Sequence, residues 1–89
     1  MEFEWLEAKR IAVLKARGLD FVRGQQLFDG RQIYTVASPR GLEQRWVSIG
    51  ELNDRLVAVV WTVRGRNVRI ITMRRARRAE ERRYRALHG

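Results

Sequence analysis

The sequence predicts a small α+β domain: helices laid against a few strands that pair through hairpins. Three observations lead there. Residues 6–17 hold no Gly or Pro and are rich in Ala, Leu, Lys, Glu and Arg, all good helix formers. From Ile33 onward the apolar residues recur with a period of two, the period of a strand. The 89 residues, 45% of them hydrophobic, suffice for one core and no more.

The elements follow in order. Phe3 and Trp5 alternate with Glu2 and Glu4, a short strand with one buried face. In the helix over 6–17, Ala8, Ile11, Ala12 and Lys15 share one side with Leu14 beside them, and Gly18 supplies the stop. Asp20 is the expected N-cap of a shorter second helix, which Asp29-Gly30 ends in a turn. Ile33 to Ala37 reads as a strand, Ser38-Pro39-Arg40-Gly41 as a loop, Arg45 to Gly50 as a second strand and Glu51 to Asp54 as a turn. Leu56 to Val63 is apolar on both faces and therefore central, covered on both sides. Arg64-Gly65-Arg66-Asn67 joins it by a hairpin to Val68–Met73, with Val68, Ile70 and Thr72 opposite Arg69, Ile71 and Met73. Residues 76–87 read as a basic C-terminal helix with a thin apolar side.

Composition narrows the chemistry. With no cysteine there is no disulfide and no thiolate nucleophile, which fits a reducing compartment; a cytoplasmic protein is expected. Met1 to Trp5 carries two glutamates and no apolar run follows, so no secretory leader is expected. The longest strongly apolar stretch, Leu56 to Val63, is far below the roughly 20 residues that span a bilayer, so no membrane role is expected. The single histidine, His88, lies next to the C-terminus, and the acids do not cluster at ligand spacing, so neither a metal site nor a Ser-His-Asp triad is expected. Phosphate-binding and nucleophile-elbow glycine motifs are absent, and no cofactor is expected.

Charge is the positive signal. The formal net charge is +9, and residues 64–85 hold ten arginines and two glutamates, hence +8 of it. Arginine grips phosphate with a planar fork. A polyanion, RNA foremost, is the expected ligand; a solvated helix face or a surface for an acidic protein is the competing reading. RNA can be cleaved by attack of its own 2′-hydroxyl on the adjacent phosphate. The protein then aligns the reacting groups, neutralises the phosphoryl oxygens and moves protons. Arginine serves the phosphate but not as base. The proton carrier is sought among Glu43, Lys9, Lys15 and Tyr84, or the site has no strong acid or base at all. Arg45, Arg64, Arg74 and Arg75 lie at or near strand ends and are the candidates for phosphate in an active groove, with Glu43 beside them. Lys9, Lys15, Arg17, Arg77 and Arg78 are candidates for contacts along the RNA. Because successive strand residues face opposite ways, only one of Arg74 and Arg75 can face a given groove if the strand persists that far.

Many of these residues resemble one family. Phe3-Glu4-Trp5, Gly18, Phe21 and Phe28-Asp29 look like the opening of the BrnT-type toxins, as do Glu43-Gln44-Arg45-Trp46, Ile49-Gly50 and Val60-Trp61-Thr62-Val63-Arg64-Gly65. The densest match is Val68-Arg69-Ile70-Ile71-Thr72-Met73-Arg74-Arg75-Ala76-Arg77-Arg78, followed by Glu81-Arg82 and Tyr84. The resemblance implies a RelE-like fold and a metal-independent ribonuclease toxin of a bacterial type II toxin–antitoxin pair. It implies as partner a BrnA-type antitoxin whose ribbon-helix-helix part binds the shared operator DNA. Leu6 stands where the family usually has Asp, and Val13, Ala16 and Arg17 stand where it has Asn, Lys and His. Polar groups able to position or protonate RNA are lost there; Arg17 keeps only the charge. Two other functions stay open: a noncatalytic RNA- or DNA-binding module, and a degenerate toxin that retains only antitoxin binding. Intact RNA alongside steeply salt-dependent binding would distinguish them from an enzyme.

Overall fold

A computed structural model describes residues 1–89. Strand β1 (Glu2–Glu4) leads into helix α1 (Glu7–Arg17), a short helix α2 (Phe21–Gly24) and a 3-10 turn over Gln25–Phe28. Strands β2 (Ile33–Ala37), β3 (Trp46–Leu52), β4 (Arg55–Arg64) and β5 (Asn67–Arg75) follow, then helix α3 (Arg78–His88). The sheet runs β1-β5-β4-β3-β2. All neighbours are antiparallel except β1, which lies parallel to β5. The sheet is thus mixed, not purely antiparallel: α1 returns the chain past the sheet, so β1 reaches β5 by no hairpin.

The local chemistry of the turns accounts for the register. Gly18 adopts a left-handed φ of 70° and its N–H closes α1 on Leu14 O. The Asp20 carboxylate accepts from Val22 N–H at 3.0 Å and caps α2. Asn53 and Asp54 both take positive φ between β3 and β4, the pattern of a type I′ hairpin; between β4 and β5 Gly65 does so at φ 60°. That two-residue connection sets Arg64 opposite Asn67.

Strand β4 is central, as the two-faced apolar run predicts. Val57 and Val59 face α1 and α2, packing with Val13, Phe21, Leu27, Ile70 and Met73. Ala58 faces the other way, with Val47 and Ile49, under Tyr34, Val36, Val60, Ala76 and Tyr84. An aromatic row, Phe3, Phe28, Trp61 and Trp46, extends the first core, each ring within 5.4 Å of the next. Trp61 Nε1 donates to the buried Ser48 hydroxyl at 2.8 Å, which satisfies the only polar atom of that ring.

Two expectations about faces fail. Helix α1 turns Val13 inward, flanked by Arg10 and Arg17, and leaves Ile11 and Leu14 about 40% exposed, so the stripe of Ala8, Ile11 and Ala12 is not its packing face. The cause is the entry from β1: Trp5 packs on Phe21, and Arg10, Val13 and Arg17 then fall on the sheet side at helical spacing. In β5 a bulge opposite Val60/Trp61 leaves Ile71 without a partner, since Val60 pairs with Thr72 and Trp61 with Ile70. Beyond it the alternation is reversed, and Met73 joins Ile70 in the core.

Candidate active site

The site lies on the α3 side of the sheet, at the end that α3 leaves open. The bulge decides which side chains reach it. Thr72 and Arg74 pair with Val60 and Ala58 and so share the face of Arg69 and Thr62. Arg75 pairs with Val57 and faces the opposite core. Strand β5 does persist to Arg75, and only Arg74 of the pair enters the trough.

The loop between β2 and β3 folds back as a small hairpin. Arg40 and Glu43 exchange backbone hydrogen bonds of 2.9 Å each, and Gly41 takes φ 56° at the tip. Ser38 N–H donates to Arg45 O at 2.7 Å, and the buried Thr62 hydroxyl donates to Gln44 O, pinning the loop to the end of β4. Glu43 and Arg45 are thereby aimed at one place. Arg45 Nε donates to Glu43 Oε1, and Glu43 Oε2 stands 3.7 Å from Arg64 Nη2. The Arg45 guanidinium beside it, reinforced by Arg64 and Arg69, holds the Glu43 carboxyl below the usual carboxylate range.

Around this cluster a groove of about 300 Å³ is lined by Leu6, Lys9, Glu43, Arg45, Thr62, Arg64, Arg69, Ile70 and Ile71. A second groove of about 320 Å³ continues it past Ser38, Arg40, Val47, Val60, Thr72, Arg74 and Arg77. Arg45 and Ile71 line both, so the two form one trough. Seven cations line it (Lys9, Arg40, Arg45, Arg64, Arg69, Arg74, Arg77); Glu43, Glu4 on Arg69 and Glu80 on Arg74 oppose them, leaving seven minus three, or +4.

Two further arginines are held in ion pairs. Arg69 Nη1 donates to Glu4 Oε2 at 2.7 Å, while Asn67 Nδ2 donates to Glu4 Oε1 at 3.1 Å; together they hold Glu4 below its ordinary value, Asn67 contributing most. Arg74 grips Glu80 with two bonds of 2.8 and 2.9 Å, and Glu80 Oε1 also accepts from Arg77 N–H at the start of α3. Arg74 lowers the Glu80 pKa and Glu80 raises that of Arg74. Glu80 therefore pairs with a strand arginine, across the start of α3.

Of the residues singled out from sequence, Glu43, Arg45, Arg64, Arg74, Lys9 and Arg77 meet in the trough. Lys15 stands on the exposed side of α1, and Arg78 is exposed at the start of α3. Arg17 donates through Nη1 to Met73 O at 2.7 Å, on the side of the sheet that α1 covers. Tyr84 packs against the second core and seats α3. Arg40, Arg69 and Thr62 were missed. Arg69 carries a signal, a charge within an otherwise apolar strand; the role of Thr62 depends on where the loop folds. No three His, Asp or Glu side chains cluster as metal ligands. No helix is long and apolar enough to cross a membrane.

A small α+β domain that gathers an excess of arginines over carboxylates, in a groove open along the sheet, has the surface of a protein that handles phosphodiester chains. The family model for the ribonuclease toxin BrnT of type II toxin–antitoxin systems matches residues 5–80. The chain belongs to that family, and is a ribonuclease toxin with an antitoxin partner. Among curated proteins none matches.

Proposed function

We propose that the trough cleaves RNA in the bacterial cytoplasm without a metal, and that this cleavage stops translation and growth. The carrying observation is the Glu43 carboxylate set between Arg45 and Arg64, at the middle of a trough with excess positive charge. The scissile phosphate lies against these guanidiniums, beside Glu43. The 2′-oxygen forms a bond to phosphorus, the bond to the 5′-oxygen breaks, and the products are a 2′,3′-cyclic phosphate and a 5′-hydroxyl. Arg45 and Arg64 neutralise the phosphoryl oxygens as charge builds. Arg69 and Arg74 hold the flanking phosphates, and Arg77 extends the contact. Glu43 and Lys9 are the proton-carrying side chains among the groove's lining, Glu43 at the 2′-hydroxyl and Lys9 at the leaving oxygen. Arg75, Arg17, Lys15 and Arg78 take no part in the chemical step.

The order of elements and the five-stranded sheet with helices on both faces support a RelE-like fold. The antitoxin of this reading is BrnA-type: its ribbon-helix-helix part binds operator DNA, and the toxin meets that DNA only through it. Purified toxin free of antitoxin is incubated with RNA in EDTA. Fragments with cyclic phosphate ends, lost on Arg45→Ala, are expected; intact RNA that is nevertheless bound would make the protein a noncatalytic RNA-binding module.

A further inference from the structure

We propose that a second arginine-rimmed groove, on the opposite side of the sheet, binds the phosphate backbone of the same RNA, and that the Arg74-Arg75 pair carries the strand over the sheet's edge from one groove to the other. The inference rests on the ribonuclease reading of the trough.

The second groove, of about 430 Å³, lies between the α1–α2 connection and the β3–β4 turn, and Arg23 and Arg55 line it over a floor of Leu52 and Val57. Arg75 pairs with Val57 and faces the same side. Arg17 reaches the same side of β5, since its guanidinium is anchored on the carbonyl of Met73, two residues before Arg75. Arg23, Arg55 and Arg75 are exposed and make no ion pair. The groove's one acid, Asp20, is already engaged by Arg10 at 3.1 Å and by Val22 N–H. Asp54, in the adjoining turn, does not line it. Arg23 and Arg55 thus line a groove whose one acid is spoken for, with the unpaired Arg75 and the Met73-anchored Arg17 on the same side of the sheet.

The path between the grooves is short. β1 pairs only with Asn67–Arg69, so the outer edge of β5 beyond Arg69 has no strand beside it. Consecutive Arg74 and Arg75 point to opposite faces there. A flexible phosphodiester chain leaving the trough at Arg74 meets Arg75, then Arg17, then Arg55 and Arg23. A single-stranded backbone follows such a turn and presents a charge at every nucleotide.

The test measures binding of non-cleavable 2′-O-methyl oligonucleotides, a trinucleotide and a dodecanucleotide, to the full chain and to Arg23→Gln/Arg55→Gln. Two lost phosphate contacts reduce the slope of log K against log salt by about 1.4 for the long strand, at about 0.7 per contact. Between about 50 and 200 mM salt the wild type then loses about sevenfold more affinity than the variant. The trinucleotide, seated in the trough alone, keeps its slope. Arg23→Lys/Arg55→Lys restores the long-strand slope, separating charge from folding. An unchanged long-strand slope overturns the proposal, as does an equal loss for both lengths. A variant that binds RNA normally but loses an acidic protein partner would make the groove a protein surface, and overturns it too. If the wild type binds neither oligonucleotide, the ribonuclease reading fails with it; if it binds both with slopes that Arg23 and Arg55 do not affect, only the second groove fails.

Discussion

Helix α3 has no buried residue, yet it closes the second core. Its hold on the sheet therefore rests on Tyr84, on Ala76 just before it, on the His88 ring nitrogen 2.9 Å from Ile33 O and on the Arg74–Glu80 clasp. The clasp is bidentate and both side chains are only about one-fifth exposed, 20% and 18%. Exposed pairs couple by about 0.2–1 kcal/mol, and breaking a buried pair costs about 3–5 kcal/mol. A charge-assisted fork at intermediate depth should couple by about 1–2 kcal/mol. Glu80→Ala also frees the Arg77 N–H at the helix start, which adds about 1 kcal/mol. The sum, about 2–3 kcal/mol, lowers the melting temperature of a domain this size by about 8–24 °C. Arg74→Ala leaves that cap in place and should cost about 1–2 kcal/mol. Urea unfolding of the wild type, both single variants and the double variant gives the coupling directly. A coupling below about 0.5 kcal/mol would show that the clasp does not secure α3. The same variants separate stability from function. Glu80→Gln weakens the fold but releases Arg74 into the trough, so binding of a 2′-O-methyl oligonucleotide should tighten. Weaker binding would show that Arg74 acts through α3 and not on phosphate.

Other expectations follow from single features. Glu43→Gln removes the carboxylate between Arg45 and Arg64, so the salt slope of RNA binding should steepen by about 0.7 while cleavage slows; a slope that flattens would reject the charge-balancing role. Gly50→Ala places a methyl carbon 2.9 Å from Leu27 Cγ, a branch point, and 3.0 Å from Ile33 Cγ2, the methyl on a β-branched side chain, and should destabilise by about 1–3 kcal/mol in urea. Glu7 has its pKa lowered from 4.5 to about 2 by Arg10 first and Trp5 second. A depressed carboxylate contributes stability that is present above pH 4.5 and lost as the pH falls toward 2, so Glu7→Gln should flatten the acid limb of the stability profile there.

Much of the fold could be read from residue order. The Gly18 stop, the Asp20 cap and the two-faced run of β4 each have one physical cause, local in sequence. What escaped is long-range. The stripe of Ala8, Ile11 and Ala12 is as apolar as the face that packs, and only the contact of Trp5 with Phe21 decides between them. The parallel pairing of β1 depends on where α1 delivers the chain. In the candidate site, the arginine-rich stretch supplies Arg64, Arg69, Arg74 and Arg77, while Glu43 and Arg45 were legible as separate candidates and not as the ion pair they form. Arg40 and Thr62 were not, because the first enters through a loop hairpin and the second through one bond to a backbone carbonyl.

The bulge at Ile71 ties these strands of evidence together. Had β5 kept strict alternation after Ile70, Met73 would leave the core and Arg75 would take the face that Arg74 now holds. One unpaired residue thus serves two ends. It lets Met73, fully buried, fill the space beside Gly24, where a Cβ would come within 2.7 Å of its sulfur. It also sets Arg74 in line with Arg69 and Arg45, at the position from which Glu80 can clasp it. Packing and charge placement are consequences of the same local irregularity, so a run of arginines at a strand end divides between two faces by geometry rather than by composition. The departures at Val13 and Arg17 fit that division. Both lie on the opposite side of the sheet from the trough, one buried in the core and the other anchored on Met73 O, and neither is positioned to supply the chemistry proposed around Glu43.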